Sequence, residues 1–281
     1  MTATKPQPAV YLLDVEGTIA PISLVAEQLF PYARKHFESF LISGVAELQK
    51  NHESLEQSLE EGGLMRDLLM LSVENREEQD PDAPKMLPPG LAKGQKNASI
   101  GPSANSQASP SVNTLGFIPA ALTYIYWLMD RDRKSTALKS LQGKIWKAGF
   151  ESGELKGQLF ADVPPALERW SAHGRVAIYS SGSVDAQRLL FRYSTFGDLS
   201  ALVSDYFDTR TGAKTSAASY TAIAAAMKAA PGDVCFFSDV VRELDPAREA
   251  GMETRLVVRA GNTPVEDAHK HRTIHSFDET E

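Results

Sequence analysis

AVYLLDVEGT, residues 9–18, is the stretch on which the fold turns. Val10, Tyr11, Leu12 and Leu13 follow one another without a polar break, so a strand made of them must be covered on both faces, as in a parallel sheet flanked by helices. The run stops at Asp14, and Glu16 and Gly17 then form an acidic turn in which the glycine lets the backbone bend tightly. The same design, a β-rich run ending in a polar cluster before a helical pattern, recurs at 175–181 and 233–239. Residues 254–259 supply another strand, and 205–209 are a weaker candidate. Asp162 ahead of Pro164 and Pro165 reads as a helix N-cap, with Leu167 and Trp170 facing inward. Residues 216–229 are alanine-rich, carry Tyr220, Ile223 and Met227 at helical spacing, and stop at Pro231 and Gly232. Alternating strand and helix predicts an α/β fold with a Rossmann-like parallel sheet, which binds ligands at the carboxyl ends of its strands.

The first and second strands lie too far apart for an ordinary crossover, so the chain divides into a core (1–19 and 154–281) and an insertion (20–153). The insertion reads as helical. Leu29, Ala33, Phe37 and Leu41 form one stripe, Leu64, Leu68 and Leu71 a second, and Ala121, Tyr124 and Leu128 a third. Residues 75–114, rich in Pro, Ser, Asn and Gly, are expected to be a disordered loop. The acidic run of Glu74, Glu77, Glu78, Asp80 and Asp82, at the start of this segment, reads as a solvated linker.

Acidic residues outnumber basic ones by 36 to 29, and no Lys/Arg stripe is present to neutralise a phosphate backbone, which argues against a nucleic-acid partner. No apolar run approaches the ~20 residues of a membrane span and the start is polar, so a cytoplasmic protein, with access to the nucleus, is expected. The single cysteine, Cys235, lies in an apolar run and reads as a buried hydrophobe.

Three strand ends carry the candidate chemistry. Asp14 is placed to attack phosphorus, with Glu16 as acid and base for the leaving oxygen and the water. Asp14, Glu16 and Asp239 are candidate ligands for Mg²⁺. Ser180 and Ser181, at the start of a helix, offer hydroxyls and free N–H groups to an anion, and Lys214 offers a point charge. Glu243 lies four residues beyond Asp239 and can support it. Each cluster also has a plainer reading: an exposed turn, a serine or aspartate N-cap, a solvated lysine. What favours chemistry is that three strand ends of one sheet carry them together.

In that order the motifs resemble the haloacid-dehalogenase-like superfamily of aspartate-nucleophile phosphatases. Longer stretches, among them LLDVEGTIAPISLV, IYSSGSVDAQRLLF, YSTFGDL and FFSDVVRELDPAREAG, are similar to its enolase-phosphatase E1 (acireductone synthase) family of methionine salvage. Glu16, where the superfamily usually has Asp, fits that family. The resemblance implies a helical cap, an Mg²⁺ cofactor held at Asp14, Glu16 and Asp239, substrate contacts from Ser180, Ser181 and Lys214, and a monomer. It also implies a bifunctional reaction, in which 2,3-diketo-5-methylthiopentyl-1-phosphate is enolised and then hydrolysed, through an aspartyl-phosphate, to an acireductone and phosphate. Two alternatives stay open: another small-molecule phosphatase or phosphomutase of the superfamily, and a phospho-accepting receiver module.

His269, His271 and His275 read as an exposed tail. Tyr124, Tyr126 and Trp127 read as core of the insertion, with a substrate wall as the less common use of such rings.

Overall fold

The computed structural model describes residues 7–50, 63–86, 114–265 and 269–280. The chain forms two compact units, one of residues 1–31 and 146–281, the other of residues 32–145. Their boundaries fall some eight to twelve residues inside the expected insertion.

In the first unit six parallel strands stand in the order β3-β2-β1-β4-β5-β6. They are β1 (Val10–Leu13), β2 (Arg175–Tyr179), β3 (Asp205–Phe207), β4 (Val234–Ser238), β5 (Glu253–Val257) and β6 (Arg272–Ile274). Their side chains alternate between two cores. Tyr11, Leu13, Ile178 and Phe237 face one side with Leu167 and Trp170, while Val10, Leu12, Tyr179 and Phe236 face the other with Tyr220, Ile223 and Leu244. Burial on both sides is why β1, β2 and β4 read as apolar runs. Cys235 is buried, as expected.

Helix α5 (Val163–Ser171) buries Leu167 and Trp170. Asp162 stands at its N-cap position, yet its side chain makes no cap bond; it accepts instead from Arg259 Nη1 at 2.8 Å and from the Phe277 N–H at 2.7 Å. Three further helices follow strands: α6 (Val184–Arg192), α7 (Ala217–Ala226) and α8 (Val241–Glu249).

The second unit is helical, built from α1 (Phe30–Lys50, of which residues 32–50 belong here), α2 (Leu64–Glu77), α3 (Thr114–Asp130) and α4 (Thr136–Ser152, here to residue 145). Ala33, Phe37, Leu41, Leu68, Leu71, Ala121, Tyr124, Trp127 and Leu128 are buried, so the predicted stripes and the aromatic core are present. The expected disorder does not begin at 75. Asn75 is buried in α2, where its amide donates to the Pro84 carbonyl at 2.7 Å and accepts from the Met86 N–H at 2.7 Å, which ties residues 84–86 back to the helix. Nor is the acidic run only solvated: Glu74 accepts from the Ser135 hydroxyl and from the N–H groups of Thr136 and Ala137, capping α4 from outside. Residues 87–113 of the expected loop lie outside the described residues. Among the described residues no helix is long and apolar enough to cross a membrane.

Candidate active site

All strands point the same way, so their carboxyl ends share one edge of the sheet. The strand order reverses at β1, and the crevice between β1 and β4 is where such sheets bind ligands. Asp14 leaves β1 with its N–H donating to the Phe237 carbonyl at 2.9 Å, and Asp239 directly follows β4. Thr18 joins the two. Its hydroxyl donates to Asp14 Oδ2 at 3.2 Å and accepts from the Asp239 N–H at 3.1 Å. Gly17 has a φ of 75°, and a Cβ there would collide with the Asp239 carboxylate, so glycine is needed both for the turn and for the approach.

Lys214 comes from the loop before α7. Tyr179 donates to the Gly212 carbonyl at 2.9 Å, Ser219 to that of Ala213 at 2.8 Å and Tyr220 to that of Lys214 at 2.7 Å, so three consecutive carbonyls are pinned by hydroxyls. The ammonium thereby reaches Asp14 Oδ1 and, at 2.8 Å, Glu243 Oε2. Ser238 donates to the same Glu243 oxygen at 3.2 Å. Lys214 is legible in the sequence, whereas Tyr220 reads there only as core; its hydroxyl, in the first turn of a helix that begins at Ala217, is the available signal.

Four charged groups thus share one buried corner. Burial first, and then the charge of Asp14, push the Asp239 carboxyl up to about 7. The same two causes raise Glu243 against the pull of Lys214. Burial works against the charge on Lys214, but Asp14 and Glu243 outweigh it and hold its pKa above the usual lysine value.

At the end of β2, Ser180 is buried and its hydroxyl accepts from the Gly182 N–H at 3.2 Å, whereas Ser181 is exposed. Gln187 donates to the carbonyls of Gly182 and Phe207, at 2.8 and 2.9 Å, and so fastens this turn to the end of β3. Ser183, not Ser180 or Ser181, caps α6, accepting from the Ala186 N–H at 3.3 Å. Asp239 is not a helix cap either, since Val240 occupies that position in α8.

The corner suits a small hard cation. Asp239 Oδ1 is buried without a hydrogen-bond partner, beside Asp14. Among the described residues no three His, Cys, Asp or Glu side chains already stand together as a metal cluster. Glu16 lies half-buried in the turn that follows Asp14, its backbone bridged to Ala20. Two carboxylates with room for water and phosphate oxygens is the donor set Mg²⁺ commonly takes.

The chain matches the haloacid dehalogenase-like hydrolase family over residues 8–251. It is 46% identical to enolase-phosphatase E1 of Synechococcus elongatus over 269 residues, which cover 95% of each chain. The protein belongs to the enolase-phosphatase E1 family. The Leptospira borgpetersenii member is 40% identical over 96% of each chain, and that of Branchiostoma floridae 39% identical over 96% of this chain and 83% of its own. Among solved structures, the UTR4 protein of Saccharomyces cerevisiae superposes with a TM-score of 0.67 at 30% identity, covering 97% of this chain and 99% of that one. Family membership therefore extends over both units.

Proposed function

We propose that this chain is a magnesium-dependent enolase-phosphatase that takes 2,3-diketo-5-methylthiopentyl-1-phosphate to an acireductone and inorganic phosphate in methionine salvage. The observation that carries the reading is the meeting of Asp14, Lys214, Asp239 and Glu243 at the β1/β4 crevice, with the Ser180 turn on the neighbouring strand.

Asp14 attacks phosphorus in line, the bond to the enol oxygen breaks, and an aspartyl-phosphate is left on the protein. Lys214 orients the attacking carboxylate by holding Oδ1, while Thr18 holds Oδ2. Ser180, Ser181 and the N–H groups beyond them receive the phosphoryl oxygens. Glu16 gives its proton to the departing oxygen and then takes one from the water that releases phosphate. Asp14 and Asp239, together with Glu16, would hold Mg²⁺, which when bound would neutralise charge on phosphoryl and enolate oxygens alike.

Asp14→Asn tests the assignment, because the amide keeps the size of the carboxylate but not its nucleophilicity. With the diketo phosphate and Mg²⁺, the wild type should release phosphate together with an ultraviolet-absorbing enediol, and the variant should be slower by about a thousandfold or more. Sugar phosphates cleaved as fast as the diketone, or no enediol, would replace this reading with an ordinary phosphatase.

A further inference from the structure

The turn after β5 has no part in the steps above, yet it grips the nucleophile turn at two successive carbonyls. Arg259 Nε donates to the Thr18 carbonyl at 3.0 Å, and Asn262 Nδ2 donates to that of Gly17 at 2.8 Å. Arg259 is itself immobilised. Its Nη1 donates to Asp162 at 2.8 Å and to the His275 carbonyl at 3.3 Å, and its guanidinium lies 4.6 and 4.7 Å from the ring centres of Phe160 and Phe277. Gly261, with φ at 93°, and an Asn262 N–H donated to the Arg259 carbonyl at 3.2 Å close the turn.

From this anchored turn Asn262 reaches a second acceptor. The same Nδ2 lies 3.1 Å from Asp239 Oδ2. An amide nitrogen carries two hydrogens, so it can serve both Gly17 and Asp239 at once. With Oδ2 held, the other oxygen of Asp239 is the buried one that no protein group satisfies. The arrangement depends on Gly17, since a Cβ there would stand 3.0 Å from the Asn262 amide as well as colliding with Asp239.

We propose that Asn262, anchored through Arg259, is a positioning residue for the cation, fixing Asp239 against the nucleophile turn so that its free oxygen faces the metal. The inference rests on the reading that Asp239 binds Mg²⁺. Hydrogen-bond donors to ligating carboxylates commonly account for 10–100-fold in metal affinity, on the order of what is expected here.

The test is calorimetric titration of Mg²⁺ alone into the chelator-treated full-length chain, for the wild type, Asp239→Asn and Asn262→Ala, with thermal unfolding recorded alongside. Asn262→Ala should bind Mg²⁺ about ten- to a hundredfold more weakly, and the Mg²⁺ concentration for half-maximal phosphate release should rise by the same factor. Lost turnover should therefore recover as Mg²⁺ is raised. A purely structural asparagine would lower the unfolding temperature and leave Mg²⁺ affinity alone. Unchanged affinity in Asn262→Ala, with affinity lost in Asp239→Asn, overturns the role of Asn262 and leaves the site intact. Normal binding by Asp239→Asn overturns the metal assignment itself, and the role of Asn262 with it. Should Asn262→Ala fail to fold, Asn262→Ser is titrated instead and judged by the same two outcomes.

Discussion

Asp239 sits where burial and the neighbouring charge of Asp14 outweigh the groups that favour its ionised form. Unfolded, such a carboxyl releases its proton near 3.8; folded and free of metal it does so at about 7, through burial and then through Asp14. Between those values the folded chain holds a proton that the unfolded chain has shed, so stability falls as pH rises through that window. Mg²⁺ must displace the proton to bind, so its affinity should drop as pH falls below about 7. Denaturant titrations across this range, with and without saturating Mg²⁺, should show the metal-free protein weakening toward neutral pH and the Mg²⁺-bound protein spared. An Mg²⁺ affinity that is flat over roughly one pH unit either side of neutrality would contradict the linkage. Lys214 is the counterweight at this scale: it stays charged in a buried corner because two carboxylates need it, and a buried cation without them would be costly.

Strand β6 behaves differently and calls for its own experiment. His271 enters it buried, its Nδ1 2.7 Å from Thr254 Oγ1 on β5 and its Nε2 3.1 Å from Asp245 on α8, so one imidazole joins three elements. Burial pulls its pKa below 6.5 against the pull of Asp245, and it is therefore neutral in the fold near pH 7. Stability from this group is present above 6.5 and is lost as pH falls toward the depressed folded value, the reverse of the Asp239 effect. His271→Ala leaves Thr254 without its partner and should cost about 1–3 kcal/mol in denaturant unfolding. It should also remove the acid-side slope, and Mg²⁺ should restore neither. An unaltered slope would show that His271 does not titrate on unfolding. This element was hidden in the sequence. Residues 272–274, with only Ile274 turned inward, form a three-residue edge strand with no run long enough to read, and the flanking His269, His271 and His275 point to a tail. The central strands were legible because burial on both faces writes itself as consecutive apolar residues, and Asp14, Lys214 and Asp239 were legible because they follow such runs or precede a helix. Arg259 and Asn262 were not, because what they grip in the nucleophile turn are the backbone carbonyls of Thr18 and Gly17, and a carbonyl leaves no mark on residue choice. The Asp162 cap failed for a related reason: a distant arginine and the C-terminal segment outbid the local helix end.

At the scale of the whole chain, the two units differ in how far apart their contacts lie in sequence. The unit of residues 32–145 is contiguous and helical, whereas the sheet of the other needs Val10 to pair with both Arg175 and Val234. Closing such separations must precede the contacts that reward it, and folding slows as they grow. The helical unit should therefore form first, and activity should wait for β1 to enter the sheet. Tryptophan offers a separate reporter for each event. Trp127 is buried in the helical unit, 5.7 Å from the ring of Tyr124, and Trp170 stacks on Tyr11 of β1 at 4.6 Å. Two variants that keep one of these and replace the other tryptophans with Phe would resolve the order after dilution from urea. Trp127 emission should recover in an early phase. Trp170 emission should recover later, at the rate at which phosphatase activity returns, because the strand whose arrival it senses is the one that delivers Asp14. Recovery of both signals at one rate would mean that the sheet does not lag the helices and that the two units fold as a single cooperative body.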